Sequence, residues 1–310
     1  MLFNVCALYI KIMNNENQTI HKSNDNLTIY GWNEKLNQLK QESIYSTLAH
    51  GRVSIVHRTC YEVISGNGLF QCELTGNMMY GKSDDELPCT GDWVIFQPFD
   101  EHKGIIVDSL PRERTLYRKK SGTVADKQVI ASYVDKAFIV QSLDDNFNVR
   151  RVERFMVQIM EENISSVLVL NKADLDFDRQ SVEEQIKHIS SQIPVFFTSI
   201  HQLETIVRLR KSISEGETVV FVGSSGVGKS SLVNALCEKP VLLTSDISLS
   251  TGKGRHTSTR REMVLMDSSG VLIDTPGVRE FGLAIDNPDS LAEVLEIPDY
   301  AESCRFKDCK

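Results

Sequence analysis

The chain has 310 residues, 41% of them hydrophobic and 25% charged, with a formal net charge of −8. That length accommodates two or three domains with cores of their own, and the acidic balance excludes a global basic field drawing the molecule to nucleic acid, so any such contact must be a local patch. No apolar run reaches the length of a membrane span, and the seven scattered cysteines, an odd number, argue against a secreted disulfide scaffold, so a monomeric cytoplasmic protein with no membrane association is expected. MLFNVCALYI opens the chain without a basic leader or a small-residue cleavage site, and residues 11–28 are polar and Asn-rich. Residues 1–28 are therefore read as a mobile extension, with Met13 as an alternative start. A short helix is predicted over Trp32–Glu42. From residue 50 to 110 the runs GRVSIVHRTCYEVIS, GLFQCELTGNMMY, GDWVIFQPF and KGIIVDSL are β-type, broken by Gly, Asn and Asp turns. About five short strands suggest a small barrel, with the oligonucleotide-binding (OB) fold leading and a sandwich or SH3-like barrel as alternatives. LPRERTLYRKKSG follows as a basic linker with Arg112, Arg114, Arg118, Lys119 and Lys120. It is either a solvated hinge or an RNA phosphate contact.

From about Val129 the rhythm becomes β–α–β. KAFIVQSL is a buried strand, and VRRVERFMVQIMEEN is a helix with Val152, Phe155, Met156, Ile159 and Met160 on one face. SSVLVLNK, PVFFTS, TVVFVG, REMVLM and GVLIDTPG are further strands; helices are predicted near Val182–Ser191, over Leu203–Ser212 and at SLVNALC. Strands alternating with helices imply an α/β fold with a doubly wound, mostly parallel sheet.

The motifs sit where such a sheet would use them. Gly223–Ser230 reads GSSGVGKS, a phosphate loop between an apolar strand and a helix. Gly223, Gly226 and Gly228 let successive N–H groups curl around phosphate oxygens, with Ser224, Ser225, Val227 and Ser231 lining the same turn. Lys229 reaches the outer phosphates and the Ser230 hydroxyl ligates Mg²⁺. Asn171-Lys172-Ala173-Asp174 is an NKxD guanine reader; the Asp174 carboxylate accepts the ring N–H and the exocyclic amine, a pair that adenine does not offer. Thr198 and Ser199 lie where a second base-contacting loop would fall. Asp274 and Gly277 belong to DTPG at the end of an apolar strand, an acid for Mg²⁺ and an N–H for a γ-phosphate. GKGRHTSTRRE between these motifs reads as a switch loop, with Thr257 and Thr259 as Mg²⁺ ligands. Val278 occupies the place of the water-orienting glutamine, so His256 is the candidate catalytic group, with an RNA-contacting or merely exposed histidine as the alternative. The guanine reader precedes the phosphate loop. Ordinary GTPases have the reverse order, so the domain reads as circularly permuted, bound to GTP or GDP with Mg²⁺.

The order NKAD, GSSGVGKSS, GRHTSTRRE, DTPGVREFGL, CRFKDC closely resembles the ribosome small subunit-dependent GTPase A family (RsgA, YjeQ or YloQ), from about Gly51 to the last residue. The resemblance implies an N-terminal OB-fold β-barrel, a circularly permuted P-loop GTPase domain and a C-terminal zinc-binding helical domain. It also implies GTP hydrolysis stimulated by the small (30S) ribosomal subunit and its 16S rRNA in late maturation, with His256 at the position of the family's catalytic histidine. The corresponding boundaries are residues 1–42 for the extension and short helix, 43–112 for the barrel, 113–284 for the GTPase and 285–310 for the start of the zinc domain. Two departures stand out. Ser258 replaces a threonine of the family's HTTT, leaving Thr257 and Thr259 in place. Cys304 and Cys309 match the first two Zn²⁺ ligands, and the chain ends at Lys310 before the remaining two, so the natural protein is expected to continue. The competing reading is a GTP-regulated switch that binds a protein partner, with incidental hydrolysis.

Overall fold

The computed structural model describes residues 24–119, 127–238, 261–266 and 270–274. After a short 3-10 turn at Asn24–Tyr30, Asn33 caps helix α1 (Glu34–Glu42), accepting the Leu36 N–H on its side-chain oxygen at 3.1 Å. The helix starts later than the expected Trp32, whose ring instead packs on His50 and Trp93 at centroid distances of 4.1 and 4.9 Å.

Five strands follow: β1 (Ala49–Val56), β2 (Tyr61–Ser65), β3 (Gly68–Leu74), β4 (Trp93–Asp100) and β5 (Lys103–Ser109). They pair in the order β1-β2-β3-β5-β4, and β4 returns to pair with β1, closing a barrel. β3 and β5 run parallel, and the other neighbours are antiparallel. Inward positions alternate with outward ones, most clearly in β2, and supply the core of Val53, Val63, Phe70, Cys72, Val94, Phe96 and Ile106. The run expected to stay β-type through Tyr80 is strand only to Leu74. Thr75 then caps a short helix α2 (Gly76–Gly81), accepting the Met78 N–H at 3.4 Å, and the helix puts Met78 into the barrel core.

The expected hinge is partly strand. β6 (Leu116–Lys119) pairs antiparallel with β7 (Lys127–Ala131), and Leu116 is fully buried. The main sheet then builds from β8 (Lys136–Ser142), β9 (Ser165–Asn171), β10 (Val195–Thr198), β11 (Thr218–Val222), β12 (Glu262–Leu265) and β13 (Val271–Asp274), in the order β10-β9-β8-β11-β13-β12. All of these pairs are parallel except β12–β13. Helix α3 (Val149–Glu161) covers one face of the sheet, over Ile139, Leu168, Leu170, Val220, Val222 and Ile273; α4 (Arg179–Gln185) and α5 (Lys187–Ser190) lie on the same side. Helices α6 (Leu203–Lys211) and α7 (Lys229–Leu236) cover the other face, over Phe138, Val140, Val169, Val219 and Phe221. The doubly wound reading is correct.

One detail of α3 differs from expectation. Met160 is 41% exposed, while Glu153 and Gln158 are buried. The flanking elements explain the difference: Glu153 takes a bond from His188 on α5 at 2.9 Å, and Gln158 donates to the Tyr117 carbonyl on β6 at 2.6 Å. Packing against those neighbours rotates the buried arc beyond the apolar stripe.

The barrel joins the main sheet where Ile55 on β1 pairs with Glu262 on β12. Arg52 is 1% exposed at this junction. Its guanidinium donates to the Gly91 carbonyl (3.0 Å), the Thr218 hydroxyl (2.8 Å) and the Tyr133 carbonyl (3.3 Å), as well as to the Tyr30 carbonyl. It also lies 5.5 Å from the Trp93 ring centroid. Partners from four separate stretches of chain therefore meet on one cation.

Candidate functional site

The carboxyl ends of β8, β9, β10 and β11 lie side by side. Ser142 pairs with Asn171, and Asn171 with Thr198, so the ends of β8, β9 and β10 are level. Chain order runs outward from β8 through β9 to β10, then jumps to β11 on the other side of β8. In open α/β sheets this switch of direction opens a crevice beyond the strand ends where ligands bind. The sequence motifs converge on it.

The phosphate loop leaves β11. Gly223 has φ +150°, and an added Cβ would lie 2.4 Å from the Val140 carbonyl oxygen; Gly228 has φ +93°, and its Cβ would lie 2.3 Å from Asn171 Nδ2. Both positions therefore require glycine, and both press the loop against the strands beside it. Gly226 at φ +82° has open space around it, so the loop is crowded on the protein side and clear elsewhere. Gly228 opens α7, whose first residues are Lys229, Ser230 and Ser231. Lys229 Nζ donates to the carbonyls of Gly223 (2.7 Å) and Ser224 (2.8 Å), which ties the ammonium to the start of its own loop. The fit to a phosphate chain is steric and electrostatic: a glycine-lined bend, a helix N-terminus and a cation in one turn.

The NKAD segment ends β9. Asn171 is buried and joins the two motifs, its Nδ2 donating to the Val227 carbonyl at 2.8 Å while Thr198 Oγ1 donates to its Oδ1 at 3.3 Å. Lys172 has φ +61°, a strained left-handed turn for a side chain of its size. The Ala173 N–H donates to the Thr198 carbonyl at 3.0 Å. Asp174 is exposed, and Ser199 Oγ donates to its Oδ1 at 2.5 Å. That bond, aided by the nearby charges of His201 and Lys172, holds the Asp174 carboxyl below its ordinary value, so it is present as the acceptor that guanine needs.

The turn between β8 and α3 adds residues that no sequence motif marked. Asp144 accepts from Ser142 Oγ (2.6 Å), from the Asn146 N–H (3.0 Å) and from Lys172 Nζ (2.7 Å). Asn146 Nδ2 donates to Ser224 Oγ at 3.2 Å, and Arg151 Nη1 donates to the same oxygen at 3.1 Å. The available signal was positional: a polar turn directly after a buried parallel strand. Partial burial pushes the Asp144 carboxyl up, but hydrogen bonds from Lys172, Ser142 and the Asn146 N–H, with the Lys172 charge, bring it down to about 2. The unfolded chain therefore takes up a proton at this carboxyl before the folded one does. Its contribution to stability is complete above the ordinary value of 3.8 and is lost as pH falls towards about 2. Acid unfolding of Asp144→Asn is expected to show a shallower fall in stability across that window than the parent. Parallel curves would mean that Lys172 gives the carboxylate no net stabilisation.

The remaining candidates separate into four groups. Asp274 ends β13, whose Ile273 pairs with Val220 beside the phosphate-loop strand, so its backbone reaches the same edge. Arg112 and Arg114, expected in an open basic linker, are instead held within the fold. Arg112 forks onto the fully buried Asp92, with Nε to Oδ1 at 2.9 Å and Nη2 to Oδ2 at 2.7 Å, and also reaches the carbonyls of Asp85 and Leu87. Arg114 pairs with Asp135 at 3.0 Å. Arg118 lies on β6 and donates to Gln128 at 2.8 Å, and Lys119 ends that strand. Lys120, His256, Thr257, Thr259, Gly277, Cys304 and Cys309 lie outside the described residues. Among the described residues, no group of three or more His, Cys, Asp or Glu side chains is placed to hold a metal ion.

Comparison with known proteins gives a consistent picture. The family model for the RsgA GTPase matches residues 109–284. "Small ribosomal subunit biogenesis GTPase RsgA 1" of Bacteroides thetaiotaomicron is 75% identical over 287 residues, covering 93% of this chain and 81% of that protein. "Small ribosomal subunit biogenesis GTPase RsgA" of Methanosarcina acetivorans is 37% identical over 308 residues, covering 96% of this chain and 81% of that protein. In fold, the chain is similar to the crystal structure of YjeQ from Thermotoga maritima, with a TM-score of 0.61 at 24% identity, covering 84% of this chain and 86% of that one. It is also similar to YloQ, described as a circularly permuted GTPase, with a TM-score of 0.59 at 21% identity, covering 86% of this chain and 85% of that one.

Proposed function

This chain belongs to the RsgA GTPase family, and we infer from that premise that it hydrolyses GTP in the biogenesis of the small ribosomal subunit. The observation that carries the site assignment is Asn171, whose buried amide links the base-reading turn to the phosphate loop at 2.8 Å and so makes one site of two motifs. In this reading Asp174, aligned by Ser199, accepts both guanine N–H groups. Lys172, Ala173 and Thr198 shape the base pocket. The N–H groups from Gly223 to Ser231 and the Lys229 ammonium take the phosphates. Ser230 and Asp274 would hold Mg²⁺ together with Thr257 or Thr259, and Gly277 would donate to the γ-phosphate; the ion neutralises charge on the phosphate oxygens. His256 is the proposed catalytic group, because Val278 offers no hydrogen bond to an attacking water.

The finer assignments are also proposals. The closed barrel, with its parallel β3–β5 pair, supports an OB fold that faces 16S rRNA. With Arg112 and Arg114 committed internally, Arg118, Lys119 and Lys120 remain as the basic contacts. Zn²⁺ would use Cys304 and Cys309 as two of the four ligands that a structural site needs. A cytoplasmic location follows from the partner; among the described residues no helix is long and apolar enough to cross a membrane.

The direct test is GTP turnover by the full chain with and without purified small subunits. Slow turnover alone and strong acceleration by subunits are expected. Equal rates would instead favour a nucleotide-gated protein-binding switch. Base choice has its own test. Asp174→Asn is expected to weaken GTP binding by roughly 1–3 kcal/mol, in line with other bidentate base contacts, and to gain relative affinity for xanthine nucleotide. Unchanged GTP affinity on titration would remove Asp174 from the base site.

A further inference from the structure

The base-reading strand β9 and the phosphate-loop strand β11 are not neighbours, because β8 lies between them. At about 4.8 Å per strand spacing, the two halves of the site start roughly 10 Å apart. The turn leaving β8 is placed to span that gap, and it touches both sides. Asp144 Oδ2 accepts from Lys172 Nζ at 2.7 Å on the base side, and Asn146 Nδ2 donates to Ser224 Oγ at 3.2 Å on the phosphate side. Asp144 Oδ1 receives Ser142 Oγ and the Asn146 N–H, so one carboxylate fixes its own turn and still presents an oxygen to Lys172. Arg151 Nη1 lies 3.1 Å from Asn146 Oδ1 and also donates to Ser224 Oγ at 3.1 Å, so the amide oxygen faces the guanidinium and both side chains hold the same loop hydroxyl.

We propose that Asp144 and Asn146 are positioning residues, a brace that sets the separation of the base-reading turn from the phosphate loop so that a guanine nucleotide is gripped at both ends. The proposal rests on the reading of this crevice as the guanine-nucleotide site. Neither residue needs to touch the nucleotide. Asp144 holds the left-handed Lys172 turn, from which Asp174 projects, and Asn146 holds the second residue of the phosphate loop. The two ends of the brace therefore have separable signatures. A ligand with a single phosphate reports mainly on the base end, and a diphosphate reports on both.

The test is titration of the full chain with GDP and with GMP, accompanied by nucleotide-free thermal unfolding to verify that each variant folds. Asp144→Asn is expected to lower the affinity for both nucleotides by the same factor, about tenfold, because it removes a charge-assisted bond at the base end. Lys172→Met removes the same ion pair from the other side and is expected to cost at least that factor, since Lys172 also shapes the base pocket; Asp144→Ser serves if Asp144→Asn does not fold. Adding Asp144→Asn to Lys172→Met is expected to cause no further loss, since the pair acts as a unit. Asn146→Ala is expected to weaken GDP more than GMP. The brace is overturned if the variants bind as the parent does, if the two Asp144 and Lys172 losses simply add, or if Asn146→Ala shifts both nucleotides equally. If the parent chain itself binds neither GDP nor GMP, the reading of the site fails, and the brace with it.

Discussion

Lys229→Ala will lower GTP affinity and turnover together. The ammonium stands in the first turn of α7, and it is held to the Gly223 and Ser224 carbonyls at 2.7 and 2.8 Å, within the turn that would wrap the phosphates. A charge-assisted bond to a phosphate oxygen is worth about 1.5–3 kcal/mol, so affinity is expected to fall about ten- to a hundredfold. Turnover is expected to fall further, by about 10²- to 10³-fold at saturation, because charge on the phosphoryl oxygens is redistributed in the transition state and the lysine stabilises it there. The readout is subunit-stimulated hydrolysis over a range of GTP concentrations, which separates the two effects. Normal turnover at high GTP would show that the loop binds nucleotide but takes no part in the chemistry, and normal affinity as well would remove the loop from the site.

The second large effect concerns stability. Arg52→Ala is expected to destabilise the fold by roughly 3–5 kcal/mol, the range seen when one partner of a buried charged network is removed. The carbonyls of Gly91, Tyr30 and Tyr133 and the hydroxyl of Thr218 would lose their donor, and Trp93 would lose the cation over its ring. Arg52→Lys is expected to recover only part of the loss, since one ammonium cannot reach a fork of acceptors set around a planar group. Denaturant unfolding of the three proteins measures this. A loss under about 1 kcal/mol for the alanine variant would mean that the guanidinium does no more than fill space.

Local signals made most of this molecule legible in its sequence. Buried strands such as SSVLVLN and TVVFV are apolar runs bounded by turns, and their motifs lie at the strand ends, where NKAD and GSSGVGKS meet in the structure. What escaped depends on partners distant in the chain. Arg112 and Arg114 read as an open basic patch because nothing adjacent shows that Asp92 and Asp135 will neutralise them. The brace escaped because Asp144 and Lys172 are 28 residues apart, and neither the SLDDNF turn nor its composition names a partner. Met160 was placed on the buried face by periodicity, but the burial of α3 is also set by β6 and α5, which a single-helix pattern does not contain. Helix α2 is six residues long, too short for a periodic signal, and only its Thr75 cap marked the change from strand.

The strand order also shapes how the chain can fold as it is made. Every partner within the barrel has been synthesised by Ser109, so the barrel can close while the rest is still being translated. After the β6–β7 pair, the strands β8, β9 and β10 emerge, pair with one another and leave the inner edge of β8 open until β11 arrives. That edge belongs to an apolar strand with Phe138, Ile139 and Val140 at its centre, and an unpaired edge of this kind is a template for association with other chains. A chain arrested before Thr218 would present a finished barrel beside an unfinished sheet, with the base-reading turn already made and its neighbour missing. The permutation thus places the adhesive intermediate late in synthesis: the strand that carries the phosphate loop covers the edge of β8, and its own far edge is then closed by β13.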